Sequence, residues 1–126
     1  MDFMDYSKTS TVINLTAHSV RFCIVEGKGK RIIEIPPSGK IARLRISSTP
    51  LGEVPHEGSN MPVVLSGNNG VINVPEPKEG TIYIVSSVVA KALLREDVLS
   101  PDTTDDGVLR DGQGNVYAVK RLQCFQ

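Results

Sequence analysis

At 126 residues the chain is long enough for one domain with a hydrophobic core and too short to expect two. Its 14 basic residues balance 14 acidic ones, so it is not read as a general binder of DNA, RNA or a membrane surface, although a local basic pocket can still hold a small anion. Neither a basic-then-apolar leader nor an apolar run of bilayer-spanning length is visible, and the expectation is a cytoplasmic protein.

Residues 1–9 are polar and without period, which predicts a flexible N-terminal arm ahead of one domain over 10–126. Runs 11–16 and 20–25 read as strands joined by Ala17-His18-Ser19, and Gly27-Lys28-Gly29 turns into a third over 31–35. Pro36-Pro37-Ser38-Gly39 then leads into a strand over 41–46, in which Arg43 and Arg45 share one face and Ala42, Leu44 and Ile46 the other, read as the core face. The arginines suit a phosphate or carboxylate, and equally a solvated face that guards an exposed strand. Residues 47–61 are rich in turn formers and read as the longest irregular loop, a candidate lid. Two short strands, 61–65 and 71–74, read as a hairpin across Ser66-Gly67-Asn68-Asn69-Gly70, whose Asn-Gly pair supplies positive φ.

After the breakers Pro75, Pro77 and Gly80, the β-branched and aromatic run 81–85 predicts a buried strand. Val88, Val89, Ala92 and Leu93 then repeat at helical spacing, so the main helix is expected over about 86–96, with Ser86 or Ser87 as its cap. A strand feeding a helix suits anion binding and is also plain architecture. Ser87, Lys91 and Arg95 would line one polar stripe of that helix. Residues 100–107 read as a loop whose aspartates 102, 105 and 106 lack the spacing of a calcium site and fit turn chemistry. The chain closes with a hairpin of 108–111 and 116–122 across Gly112-Gln113-Gly114-Asn115.

These elements predict an α+β fold, a largely antiparallel sheet or sandwich of short strands with one main helix and a C-terminal β-hairpin. Exposed strand edges of this kind are often completed by a second subunit, which predicts a homo-oligomer. Cys23 and Cys124 sit in apolar runs and read as buried free thiols, a disulfide between them being open only if the two strands are neighbours; two cysteines alone do not make a structural zinc site, and no metal or cofactor is expected. No catalytic signature is present: no Gly-x-Ser-x-Gly, no phosphate-binding Gly-x-x-x-x-Gly-Lys-Ser/Thr, no His-Glu-x-x-His and no Cys-x-x-Cys. His18 can act as a base, bind a ligand or simply satisfy turn backbone.

In order, the segments 12–18 (Val-Ile-Asn-Leu-Thr-Ala-His), 36–43 (Pro-Pro-Ser-Gly-Lys-Ile-Ala-Arg), 74–86 (Val-Pro-Glu-Pro-Lys-Glu-Gly-Thr-Ile-Tyr-Ile-Val-Ser), 95–97, 101–103 and 109–111 resemble a group of small bacteriophage and prophage proteins, identified with the first-described anti-Thoeris signal sponges. That resemblance covers nearly the whole chain from Val12 to Leu122. It implies an immune-evasion protein of the infected host's cytoplasm: a ligand-binding homo-oligomer that sequesters a cyclic ADP-ribose isomer without cleaving it, in pockets shared between subunits, and holds cyclic oligonucleotides at separate sites. Tyr83 resembles the family's base-stacking aromatic, a contact worth about 1–3 kcal/mol per base, and Arg110 before Asp111 resembles a family arginine. Arg43 and Arg95 are its plausible partners on a pyrophosphate, with Ser86 and Ser87 for ribose or phosphate and His18 nearby in the chain. The apolar Ala92 and Leu93 depart from the polar edge expected there. Each residue also has a bland reading: Tyr83 as core, Arg110-Asp111 as a paired hairpin end, Arg95 as an ordinary helix terminus.

Overall fold

The computed structural model describes residues 3–126. Its strands are β1 (Thr11–Asn14), β2 (Val20–Glu26), β3 (Gly29–Ile35), β4 (Arg43–His56), β5 (Ser59–Ile72), β6 (Thr81–Ile84), β7 (Val98–Pro101), β8 (Val108–Arg110), β9 (Val116–Val119) and β10 (Leu122–Gln123), with one helix, α1 (Ser87–Leu93), between β6 and β7. The class is α+β, mostly strand, in several sheets. One four-stranded sheet has the order β1-β6-β7-β10, a second β3-β2-β9-β8, and β4 pairs only with β5. The sheets are mixed rather than largely antiparallel, because β6 runs parallel to both β1 and β7, and β2 parallel to β9.

Strand β6 explains the layering. Thr81, Ile82, Tyr83 and Ile84 are all buried, as a strand paired on both edges and covered on both faces must be. Tyr83 packs with Leu15, Ala42, Val85, Val89, Ala90 and Val98 on the α1 side. Ile84 packs with Phe22, Val108 and Val119 of the second sheet on the other. The first sheet is therefore the middle layer.

Helix α1 begins as its sequence directs: extended Ser86 caps it, its Oγ accepting from the Val89 N–H at 3.4 Å. It ends at Leu93, short of the expected 96, because Leu94 turns left-handed at φ 54° and gives its N–H to the Ala90 carbonyl. The next three residues must bring the chain into β7, so Arg95 is not on the helix. Residues 98–101 are that strand, although residues 100 and 101 read as the start of a loop.

The largest correction concerns residues 43–72. No loop or lid occupies 47–61, and Ser66–Gly70 is not the hairpin's turn. Instead β4 and β5, 14 residues each, form one long hairpin closed by Glu57 and Gly58, both with positive φ. The Asn-Gly pair is a bulge rather than the reversal: Asn69 and Gly70, the latter at φ 98°, together stand opposite Arg45, between the pairs Ile46–Asn68 and Leu44–Val71. Bulges follow Leu44 and Pro50, and Ile46, where the ribbon leaves the body, is 60% exposed rather than core.

Two local networks fix the connections. Buried Asn14 donates to the carbonyls of His18 and Ile35 and accepts from the Thr16 N–H and hydroxyl, so one amide closes the β1–β2 turn and ties it to β3. Buried Asp102 accepts from Thr104 and from Arg121 Nε at 2.6 Å. The C-terminal hairpin pairs β8 with β9 as expected, but its second arm stops at Val119; after Arg121 the chain crosses to the first sheet as β10. Ahead of β1, Tyr6–Lys8 form one 3-10 turn, and the Tyr6 hydroxyl donates to the Glu96 carbonyl at 2.7 Å. Met1 and Asp2, the start of the expected arm, lie outside the described residues.

A Cβ on Gly107 would overlap the backbone oxygen and carboxyl carbon of Asp102. Gly107→Ala is expected to lower unfolding stability by about 1–3 kcal/mol, the usual cost of overpacking, read as a lower urea midpoint at unchanged slope.

Candidate functional site

Where β4 leaves the body, the β1–β2 turn, the start of β4 and the first turn of α1 enclose a groove of about 390 Å³. Arg43, Ser86, Val88, Ile46 and Thr16 line it, and among its described lining residues Arg43 is the one charged side chain. Arg43 is exposed, and Val88 and Ile46 are 54% and 60% exposed. Ser86 accepts from Val89 and keeps its own O–H to donate. A cation without a competing carboxylate beside two exposed apolar side chains suits a flat ring system carrying a phosphate. Two of the expected residues, Arg43 and Ser86, thus meet here. Ser87 opens α1 beside them, and His18 is next in the chain to Ala17, which lines the groove.

Arg95 lines a different and larger cleft, of about 660 Å³, between the N-terminal segment, residues 77–81 and the turn after α1. Size does not make it the better anion site. Lys8, Lys78 and Arg95 share it with Asp5, Glu79, Glu96 and Asp97. Arg95 is moreover engaged by Asp97 through both carboxylate oxygens, at 3.0 and 2.7 Å, and this pairing raises the guanidinium pKa above its usual value.

Tyr83, expected to stack a base, is 2% exposed, and its ring is enclosed by Leu15, Val85, Val89 and Val98. No face of it is open in this chain. Its place in a strand buried on both sides is the reason, and the unbroken apolar run 82–85 is the signal that marks it as core. Arg110 and Asp111 stand at the end of the C-terminal hairpin, away from both clefts. Arg110 donates to the Gly114 carbonyl at 2.9 Å and faces Asp105 at 3.7 Å. Asp111 accepts from the Gln113 and Asn115 N–H groups, and these bonds hold its carboxyl below its usual pKa. The pair organises its own turn. Lys91, on the expected polar stripe, sits over the Phe125 ring at 5.2 Å.

Sequence reasoning missed Val88 as a groove residue, taking it for core, and missed the Asp102–Arg121 pair, which no local spacing reveals. Among the described residues no three His, Cys, Asp or Glu side chains gather to hold a metal, and Cys23 and Cys124 are free thiols. No helix among the described residues is long and apolar enough to cross a membrane. Comparisons with protein-family models, with curated proteins and with solved structures found no match.

The carboxyl of Asp102 is held down to about 2, first by Thr104 and then by Arg121. Its folded pKa lies below an unfolded value of about 3.9, so its contribution is full above pH 4 and disappears as pH falls through 2. Asp102→Asn should therefore be less stable than the parent at pH 7 and approach it near pH 2, as measured by denaturation across that range.

Proposed function

We propose that the chain binds and sequesters a cyclic nucleotide-derived messenger, a cyclic ADP-ribose isomer by the resemblance described above, and returns it uncleaved. It does so as a homo-oligomer with shared pockets, in the cytoplasm of an infected bacterium, where it denies the messenger to an immune effector. Cyclic oligonucleotides occupy separate sites in the same reading. The observation that carries the proposal is the groove at the root of β4, where Arg43 stands alone as a charge among exposed apolar side chains. A guanidinium offers a planar fork of donors to a phosphate, and Val88 and Ile46 offer an apolar surface to a base. Sequestration requires slow release, and a groove open along one side needs a second surface to close it. The hairpin that rises from the groove's own rim is where a neighbouring subunit would supply that surface.

A second reading, a small phage structural or protein-interaction module without a ligand, draws on the same hairpin, which exposes Leu51, Val54, Met61 and Leu65. Thermal unfolding against a panel of cyclic ADP-ribose isomers, cyclic di- and trinucleotides, linear ADP-ribose and NAD separates the two. Ligand at one hundred times its dissociation constant should add about 2.7 kcal/mol of stability, and heat release should return it intact. No shift with any cyclic species would leave the module reading in possession. Arg43→Ala should weaken binding by about 1.5–3 kcal/mol, the range for a hydrogen bond to a charged group, measured by calorimetry, without lowering the ligand-free melting temperature. Tyr83→Ala should instead unfold much of the protein, at a cost of about 3–5 kcal/mol for an emptied aromatic site.

A further inference from the structure

Among the described residues the chain carries a projecting apolar face that nothing covers and a recessed apolar groove. The projecting one is a face of the β4–β5 hairpin. Met61, Val63 and Leu65 alternate along β5 and share a face with Val54, which pairs with Met61; the four are 38–57% exposed. The hairpin is about 45 Å long at 3.2–3.4 Å per residue, far beyond the radius of a domain of this size. The recessed surface is the open mouth between the two four-stranded sheets. There Val12, 40% exposed, and half-buried Leu122 line two adjoining hollows of about 460 and 250 Å³ above buried Ile82, bounded by Tyr6 and Cys124 on one side and Ile33 on the other.

We propose that the hairpin of one copy seats in the inter-sheet groove of a second copy, with the exchange made in both directions. Charge selects this arrangement over others. From residue 46 to residue 77 there is no Lys or Arg, and the outer half of the hairpin carries Glu53 and Glu57. The groove wall carries Lys120, beside an Arg121 that is already held by Asp102. Clasping two hairpins against each other would confront acidic outer halves and leave the groove open, whereas exchange joins opposite charges and closes both surfaces. Strand addition along the outer half of the hairpin is hindered, because Pro50 and Pro55 on β4 and Pro62 on β5 have no N–H to offer a new partner. The face is what remains available.

The experiment uses the whole chain without ligand, so its outcome is independent of messenger binding. Light scattering after size exclusion should give a dimer or a multiple of one; a monomer at tens of micromolar overturns the proposal. Met61→Cys, oxidised with diamide and mapped by mass spectrometry, should link to the native Cys124 of another copy. A 61–61 link in its place, or no link in an oligomer, also overturns it. Charge reversal at exposed positions guards against misfolded variants: Glu53→Lys with Glu57→Lys should weaken the dimer at least tenfold, and adding Lys120→Glu should restore it. Failure of that rescue counts against exchange even if the chain is dimeric.

Discussion

Everything in this fold answers to the burial of one four-residue strand. Thr81–Ile84 has neighbours on both edges and layers on both faces, so each of its backbone groups must pair and each of its side chains must pack. The parallel strands β1 and β7 meet the first demand. Helix α1 with the start of β4 meets half of the second, and the second sheet the rest. Because α1 follows β6 directly, its position is tied to the strand it covers, and its first turn opens beside the place where β4 leaves the body. The groove with Arg43 is a product of that junction: a charge on an outgoing strand, held against the cap of the helix that covers the core.

How far this was legible depended on whether the governing interactions were local. The change from β-branched run to helical period at Ser86 is visible in sequence, and so are β2, β3 and the pairing of β8 with β9. The hairpin arm was not legible, because its residues are those that loops use. Pro50, Gly52, Pro55 and Pro62 read as breakers, yet in a two-stranded ribbon solvated on both faces a missing N–H on an outer edge costs little. Asn69-Gly70 is the stronger turn signal, but the pairing of Val54 with Met61 places the reversal at Glu57-Gly58. Register outranked turn chemistry.

The expected ligand residues separate along the same line. Arg43 and Ser86 meet because they flank one short junction, whereas Tyr83 is withdrawn into the core and Arg95 into its pair with Asp97. Arg110 and Asp111 build their own turn. In one subunit these groups do not form a single site. What a sequence shows is residue type and order; which groups are already committed to each other is decided by packing, and here packing commits most of them.

The parallel pairing of β1 with β6 has a further consequence, for the order of assembly. Thr11 must wait for Thr81, some 70 residues later, and closing so long a loop is entropically costly. Within the intervening stretch, β2 with β3 and β4 with β5 are local hairpins, able to form within microseconds as soon as they emerge from the ribosome. Each shortens the effective chain between β1 and its partner. The long ribbon thus doubles as a clamp on the contour, bringing residues 43 and 72 side by side and sparing the last strand-pairing step most of its search. A chain that cut this ribbon away and rejoined its ends loosely would keep its core residues and lose the device that gathers them.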